Sequence, residues 1–186
     1  MANAGCERIR LRHAGHPPHE ATAPAHVLVV AESAPPGEGA LRRAAWVCRR
    51  LQAVATVVVI IERDARWDEL EVLRARRASE GLESSVVRLR GEGVAADGQL
   101  VTTWIGEAGG AAQDLAAELQ PELVLVLARR ASRLLFLPGS RIAHHLLRTF
   151  GGPVVVVPDR RSVRLSRWLK PRRGRPRLAV LHSGRA

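Results

Sequence analysis

Along the chain, short continuous apolar runs alternate with longer stretches in which apolar residues recur at helical spacing. HVLVVAE (26–32) is the first run, and its unbroken apolar centre predicts a strand buried on both faces. PPGEG then marks a turn. After it Leu41, Ala44, Ala45, Cys48 and Leu51 fall on one helical face, with Arg42, Arg43, Arg49 and Arg50 elsewhere. ATVVVIIE (55–62) predicts the next buried strand. DARWDELEVLRARRASEGL (64–82) predicts a charged amphipathic helix that opens with acids and closes near Gly81. Two segments then compete for the third strand, SVVRLR (85–90) and QLVTTWI (99–105). GEAGGAAQDLAAEL follows with Ala111, Leu115 and Leu119 four apart. PELVLVLA (121–128) predicts a strand, and SRIAHHLLRTF (140–150) a helix with Ile142, Leu146, Leu147 and Phe150 inward. GGPVVVVP (151–158) closes the series as a last strand.

Strands alternating with helices of this length predict parallel βαβ units. Right-handed crossovers then place helices on both faces of one sheet. The expected fold class is therefore α/β, a single open parallel five-stranded sheet with helices on both faces. Ligands in such sheets bind at the carboxyl ends of the strands, near the switch in strand order. That directs attention to Ala31–Ser33, Ile60–Arg63 and Leu127–Ser140. The regular pattern bounds a domain at 26–158, between an N-terminal arm (1–25) expected to be disordered and a C-terminal tail (159–186). In the arm, His13, His16 and His19 have a spacing that suits a metal on a helix, but Pro17 and Pro18 argue against that helix. No metal site is expected.

Charge changes the picture only once it is located. The 186 residues carry a formal net charge of +11, which suggests nucleic acid as a partner. Residues 160–186, however, hold ten basic residues and no acid, and what remains has 19 basic against 18 acidic. The positive charge belongs to the tail. No apolar run is long enough to span a membrane, and the first residues lack the apolar stretch of a secretory signal. Two cysteines, Cys6 and Cys48, make no disulfide framework, so a reducing cytoplasm is the expected setting. There is no G-x-S-x-G elbow, no P-loop and no H-E-x-x-H. His144 and His145 are neighbours on a helix, about 100° apart, and cannot share one face. Nothing places a base beside a nucleophile, and no enzyme is expected.

Two features together resemble the universal stress protein family over roughly residues 26–158. HVLVVAES puts Glu32 and Ser33 where that family's first strand commonly ends in Asp and continues Gly-Ser. PGSRIAHHLLRTFGGPVVVVP matches the end of its loop pattern G-x2-G-x9-G-S/T, the helix after it and the Pro-led last strand. The resemblance implies a regulatory or stress-response protein. It also implies that Glu32, Ser33, Ile60, Leu127, Arg130, Gly139 and Ser140 occupy the family's nucleotide-binding positions. ATP or another adenine nucleotide is then the cofactor to consider.

The same comparison shows a departure. The family's first two loop glycines fall on Leu127 and Arg130, where a Cβ stands between backbone N–H groups and any phosphate. Arg129, Arg130 and Arg133 offer guanidinium groups instead. A looser likeness joins this loop to the stress-protein-like cytoplasmic domains of potassium-sensing histidine kinases. Three readings stay open: a structural loop, an anion or nucleotide site gripped by arginines and the Ser140 helix start, and an ordinary ATP site. The first is favoured, with no conventional ATP binding. Glu32 would meet a ribose or metal, and Ile60 would flank an adenine, although core packing is the favoured reading of Ile60.

The partners expected are a second copy and a regulatory protein. In the family the last strand commonly pairs between subunits, and an open apolar edge would otherwise aggregate. A homodimer through Val154, Val155, Val156 and Val157 is expected, unless the tail folds back over that edge. RLAVLHSG (177–184) has the look of an extra strand. The arginine-rich tail with Trp168 is the alternative route to function, by contact with nucleic acid or an acidic surface.

Overall fold

The apolar runs become strands because a residue covered on both sheet faces has nowhere to place a polar side chain. A computed structural model describes residues 7–11, 24–32, 35–63, 69–128, 141–158 and 178–180. These residues run in the order β1 (Glu7–Leu11), β2 (His26–Ala31), α1 (Glu38–Leu51), β3 (Val54–Arg63), α2 (Glu69–Gly91) and β4 (Ala96–Trp104). Then come α3 (Ala108–Leu119), β5 (Leu123–Ala128), α4 (Arg141–Thr149), β6 (Val154–Pro158) and β7 (Leu178–Val180). All strands join one sheet in the order β1-β4-β3-β2-β5-β6-β7. β1 is antiparallel to β4, and every other pair is parallel. The expected five parallel strands form the centre, and a short strand is added at each edge.

Helices α1 and α2 cover one face. There Leu41, Ala44, Ala45, Cys48, Leu82, Val86 and Leu89 pack with Val27, Val29 and Ala31. Helices α3 and α4 cover the other, where Ala112, Leu115, Ile142 and Leu146 pack with Leu28 and Val30. Each residue from Val27 to Ala31 is 0% exposed. A valine or leucine buried to that degree contributes about 1.5–3 kcal/mol. Burial also pushes the Cys48 thiol up to about 11, so it behaves as an apolar core residue.

One choice that the sequence leaves open is answered, and four details differ from the sequence expectation. The third strand is β4, and the rival segment 85–90 lies inside α2. In α2, Ala78, Leu82, Val86 and Leu89 recur at three- and four-residue spacing and are all buried, while Val87 faces out. The Ser85 hydroxyl is satisfied within the helix by donating to the Gly81 carbonyl at 2.6 Å. The helix expected over 64–82 is thus Glu69–Gly91, and Gly81 does not end it. Leu51 is exposed, because α1 stops there at left-handed Gln52 (φ 51°), and Val47 turns inward instead.

The last two corrections concern the edges. Glu7–Leu11, within the arm expected to be disordered, forms β1 against Gly98–Thr102. The stretch ERIRL alternates polar and apolar residues, as an edge strand does. At the opposite edge, β7 pairs Leu178, Ala179 and Val180 with Val154, Val155 and Val156. The edge expected to take a second copy through Val154–Val157 is therefore occupied by this chain's own tail. The remaining tail residues, and His13, His16 and His19, lie outside the described residues.

Two glycines set how closely helices approach. A Cβ on Gly98 in β4 would sit 3.0 Å from Val86 Cγ2 and 3.1 Å from Leu82 Cγ, so α2 rests directly on that backbone. A Cβ on Gly109 in α3 would lie 2.7 Å from His145 Cβ in α4. Gly110, its neighbour, has nothing within 4 Å of that position. Gly109→Ala should therefore destabilise by about 1–3 kcal/mol, whereas Gly110→Ala should stabilise by about 0.5–1 kcal/mol. Urea unfolding of both variants reads the two signs. A second prediction follows from the edges. Ending the chain after residue 175 removes β7 and opens Val154–Val157, and light scattering should then show self-association that the full chain lacks.

Candidate functional site

Ala31 pairs with Val59 of β3 on one side and with Leu127 of β5 on the other. From β2 the chain moves outward through β3 and β4, then returns to build β5 and β6 on the opposite side. The crevice that parallel sheets use for ligands therefore opens at the carboxyl ends of β2 and β5. Glu32 leaves β2 at that point. Its N–H donates to the Leu127 carbonyl at 3.2 Å, and the residue is half-buried.

Of the positions expected to form the site, the described residues bring three to this end of the sheet. Glu32 stands at the switch. Ile60 follows Val59 in β3, half-buried against the core under α3 and α4. Leu127 is still inside β5, with its side chain only 2% exposed in the core beneath α1 and α2. Its bulk thus fills the core, and it offers the crevice its backbone. Ser33, Arg129, Arg130, Arg133, Gly139 and Ser140 lie outside the described residues. Helix α4 begins immediately after Ser140 and turns Ile142, Ala143 and Leu146 inward.

The two adjacent histidines divide as helical geometry requires. His144 is exposed, while His145 is half-buried with Nε2 at 2.9 Å from Gln113 Oε1 of α3. His26 is likewise held between strands, with Nε2 at 2.9 Å from Thr56 Oγ1. Both imidazoles hold elements together.

The carboxyl ends of β3 and β4 carry an arrangement that motif reading does not reach. Arg63 and Trp104 are register partners, and the guanidinium lies 4.4 Å from the indole ring centroid. Glu62 Oε1 accepts the N–H of Gly106 at 2.8 Å, in a turn where Gly106 has φ +92°. Thr103 Oγ1 donates to Glu107 at 3.2 Å. Two of the carboxylates near this end are thereby engaged in shaping the turn after β4. Among the described residues, no three His, Cys, Asp or Glu side chains gather closely enough to hold a metal ion.

The model of the universal stress protein family matches residues 25–158. The chain belongs to this family. Among solved structures, the universal stress protein of Archaeoglobus fulgidus is 20% identical, with TM-score 0.56 over 71% of this chain and 92% of that one. UspA of Lactobacillus plantarum is 14% identical, with TM-score 0.59 over 73% of this chain and 99% of that one. An Archaeoglobus fulgidus universal stress protein in complex with dAMP is 20% identical, with TM-score 0.52 over 71% and 95%. At these identities the likeness is one of fold. A search of curated proteins gave no match. Among the described residues, no helix of this universal stress protein is long and apolar enough to cross a membrane.

Proposed function

We propose that this universal stress protein is a non-enzymatic, cytoplasmic stress-response regulator that acts through protein contacts, without conventional ATP binding. One observation carries the reading. Between Ala128, where β5 ends, and Gly139, the chain has no glycine. A loop that wraps a triphosphate with backbone N–H groups needs positions free of a Cβ, and this loop offers arginines and leucines in their place. Structural relatives bind adenine nucleotides, the dAMP complex among them, so an adenine nucleotide is the ligand against which this chain must be tested. Glu32, Ser33, Ile60, Leu127, Arg130, Gly139 and Ser140 are the positions such a ligand would meet.

Self-association through Val154–Val157 belongs to the same reading, on the condition that β7 leaves the edge. The alternative, contact with nucleic acid or an acidic surface through the tail, is favoured by the ten basic residues of 160–186. Binding of that kind weakens steeply with salt.

Calorimetry of the full chain with ATP and with inorganic triphosphate separates these possibilities. Tail arginines attract both ligands alike, whereas a nucleotide site distinguishes the adenosine. The expected result is weak, equal heat for both, vanishing at high salt. Micromolar ATP binding that survives salt and is lost in Ser140→Ala would overturn the proposal.

A further inference from the structure

Helix α1 turns its apolar stripe to the sheet, and its outer face carries a half-exposed tryptophan enclosed by arginines. Trp46 is 50% exposed, a large apolar surface to leave in water. Arg42, Arg43, Arg49 and Arg50 stand four and three residues before it and three and four residues after it. Those are the spacings at which helical side chains are neighbours, so all four surround the indole on one face about 12 Å long. The Arg50 guanidinium lies 5.8 Å from the indole ring centroid. Arg88 of α2 joins the rim through its ion pair with Glu38. Of these arginines, Arg42 and Arg88 pair with Glu38, and Arg49 pairs with Glu92.

The geometry points to this face as a docking surface for an acidic, apolar-anchored segment of a partner protein. The inference rests on the reading that the protein acts through protein contacts, and it gives those contacts a place and a chemistry. A central tryptophan with an arginine rim is the composition of interface hot spots, in which an aromatic anchor is desolvated and charges surround it. The guanidinium groups here already donate to carboxylates: Arg49 holds Glu92 at 2.7 Å, and Arg42 and Arg88 share Glu38. Glu38 is 62% exposed, so an incoming carboxylate can compete for its arginines.

Other occupants fit less well. A stacked nucleobase would need the indole face that Arg50 approaches. A bilayer would receive one tryptophan, because Leu41, Ala44, Ala45 and Cys48 are buried against the sheet. A second copy would bring the same arginines into opposition.

The test uses the full chain and an end-labelled synthetic peptide of glutamate, leucine and phenylalanine, followed by fluorescence anisotropy at physiological salt. The comparison probes are the same peptide with glutamine for glutamate, a single-stranded oligonucleotide, and phosphatidylserine vesicles. The variants are Trp46→Ala, Arg43→Glu with Arg50→Glu, and Arg77→Glu, the last an exposed arginine on α2 outside the ion pairs that join Arg42, Arg49 and Arg88 to Glu38 and Glu92. The basic tail is present in every sample, so differences between variants report on α1. Circular dichroism confirms that each is folded. The expected result is that Trp46→Ala and the double variant each weaken the acidic peptide about tenfold, a hot-spot loss, while Arg77→Glu changes it less than about twofold. Equal effects of all three variants, or none, would overturn the proposal. So would dependence on Trp46 for the oligonucleotide or the vesicles without the peptide. Failure here leaves the regulatory reading standing with its contacts elsewhere, whereas a salt-resistant ATP site would overturn that reading and leave this surface untouched.

Discussion

The arrangement depends on β2 being paired on both edges and covered on both faces. Val27 to Ala31 bond to β3 on one side and β5 on the other, and none of the five is exposed. A strand held this way cannot slip by one residue, since a slip would exchange its α1 face with its α3 face along the whole length. From that fixed strand the rest follows. The helices must divide between the two faces, the chain must reverse direction across the sheet, and the reversal must open at Glu32. The close approach of α3 to α4 at Gly109, and of α2 to β4 at Gly98, then sets how tightly the two outer layers press on the sheet.

Most of this frame was legible in the sequence, because two-sided burial leaves a signal that needs no partner. HVLVVA, LVLVLA and VVVV admit no other placement in a domain of this size. What was not legible depended on contacts between distant segments. SVVRLR reads as a strand from its paired valines, yet it lies in α2, where Val86 and the preceding Leu82 pack on the bare backbone of Gly98. β1 is short and flanked by Gly, Cys and Arg, so composition hid it, whereas RLAVLHSG already suggested the strand at the other edge. The Arg63–Trp104 stack is set by register, which no motif encodes. Leu127 was expected at a nucleotide-binding position, and its side chain lies in the core beneath α1 and α2. A leucine at the end of a strand turns into the core, so its bulk does not block a phosphate directly.

Charge follows the same division. The core carries almost none, and the arginines are distributed over the helix surfaces and the tail. Where they pair, as Arg49 does with Glu92, the carboxyl is held below its usual range by a charge-assisted hydrogen bond, and α1 is tied to the turn after α2. Where arginines outnumber carboxylates, around Trp46 and in the tail, the surface is suited to meeting acidic partners.

At the centre of the proposed function is a crevice at Glu32 that does not hold an adenine nucleotide in the conventional way. The most direct measurement is a titration of the full chain with AMP, followed by amide nitrogen–proton NMR at a salt concentration that screens the tail. The account predicts that the amides of Glu32, Ile60 and Leu127 stay in place as AMP is added. Saturating shifts on those three amides would contradict it.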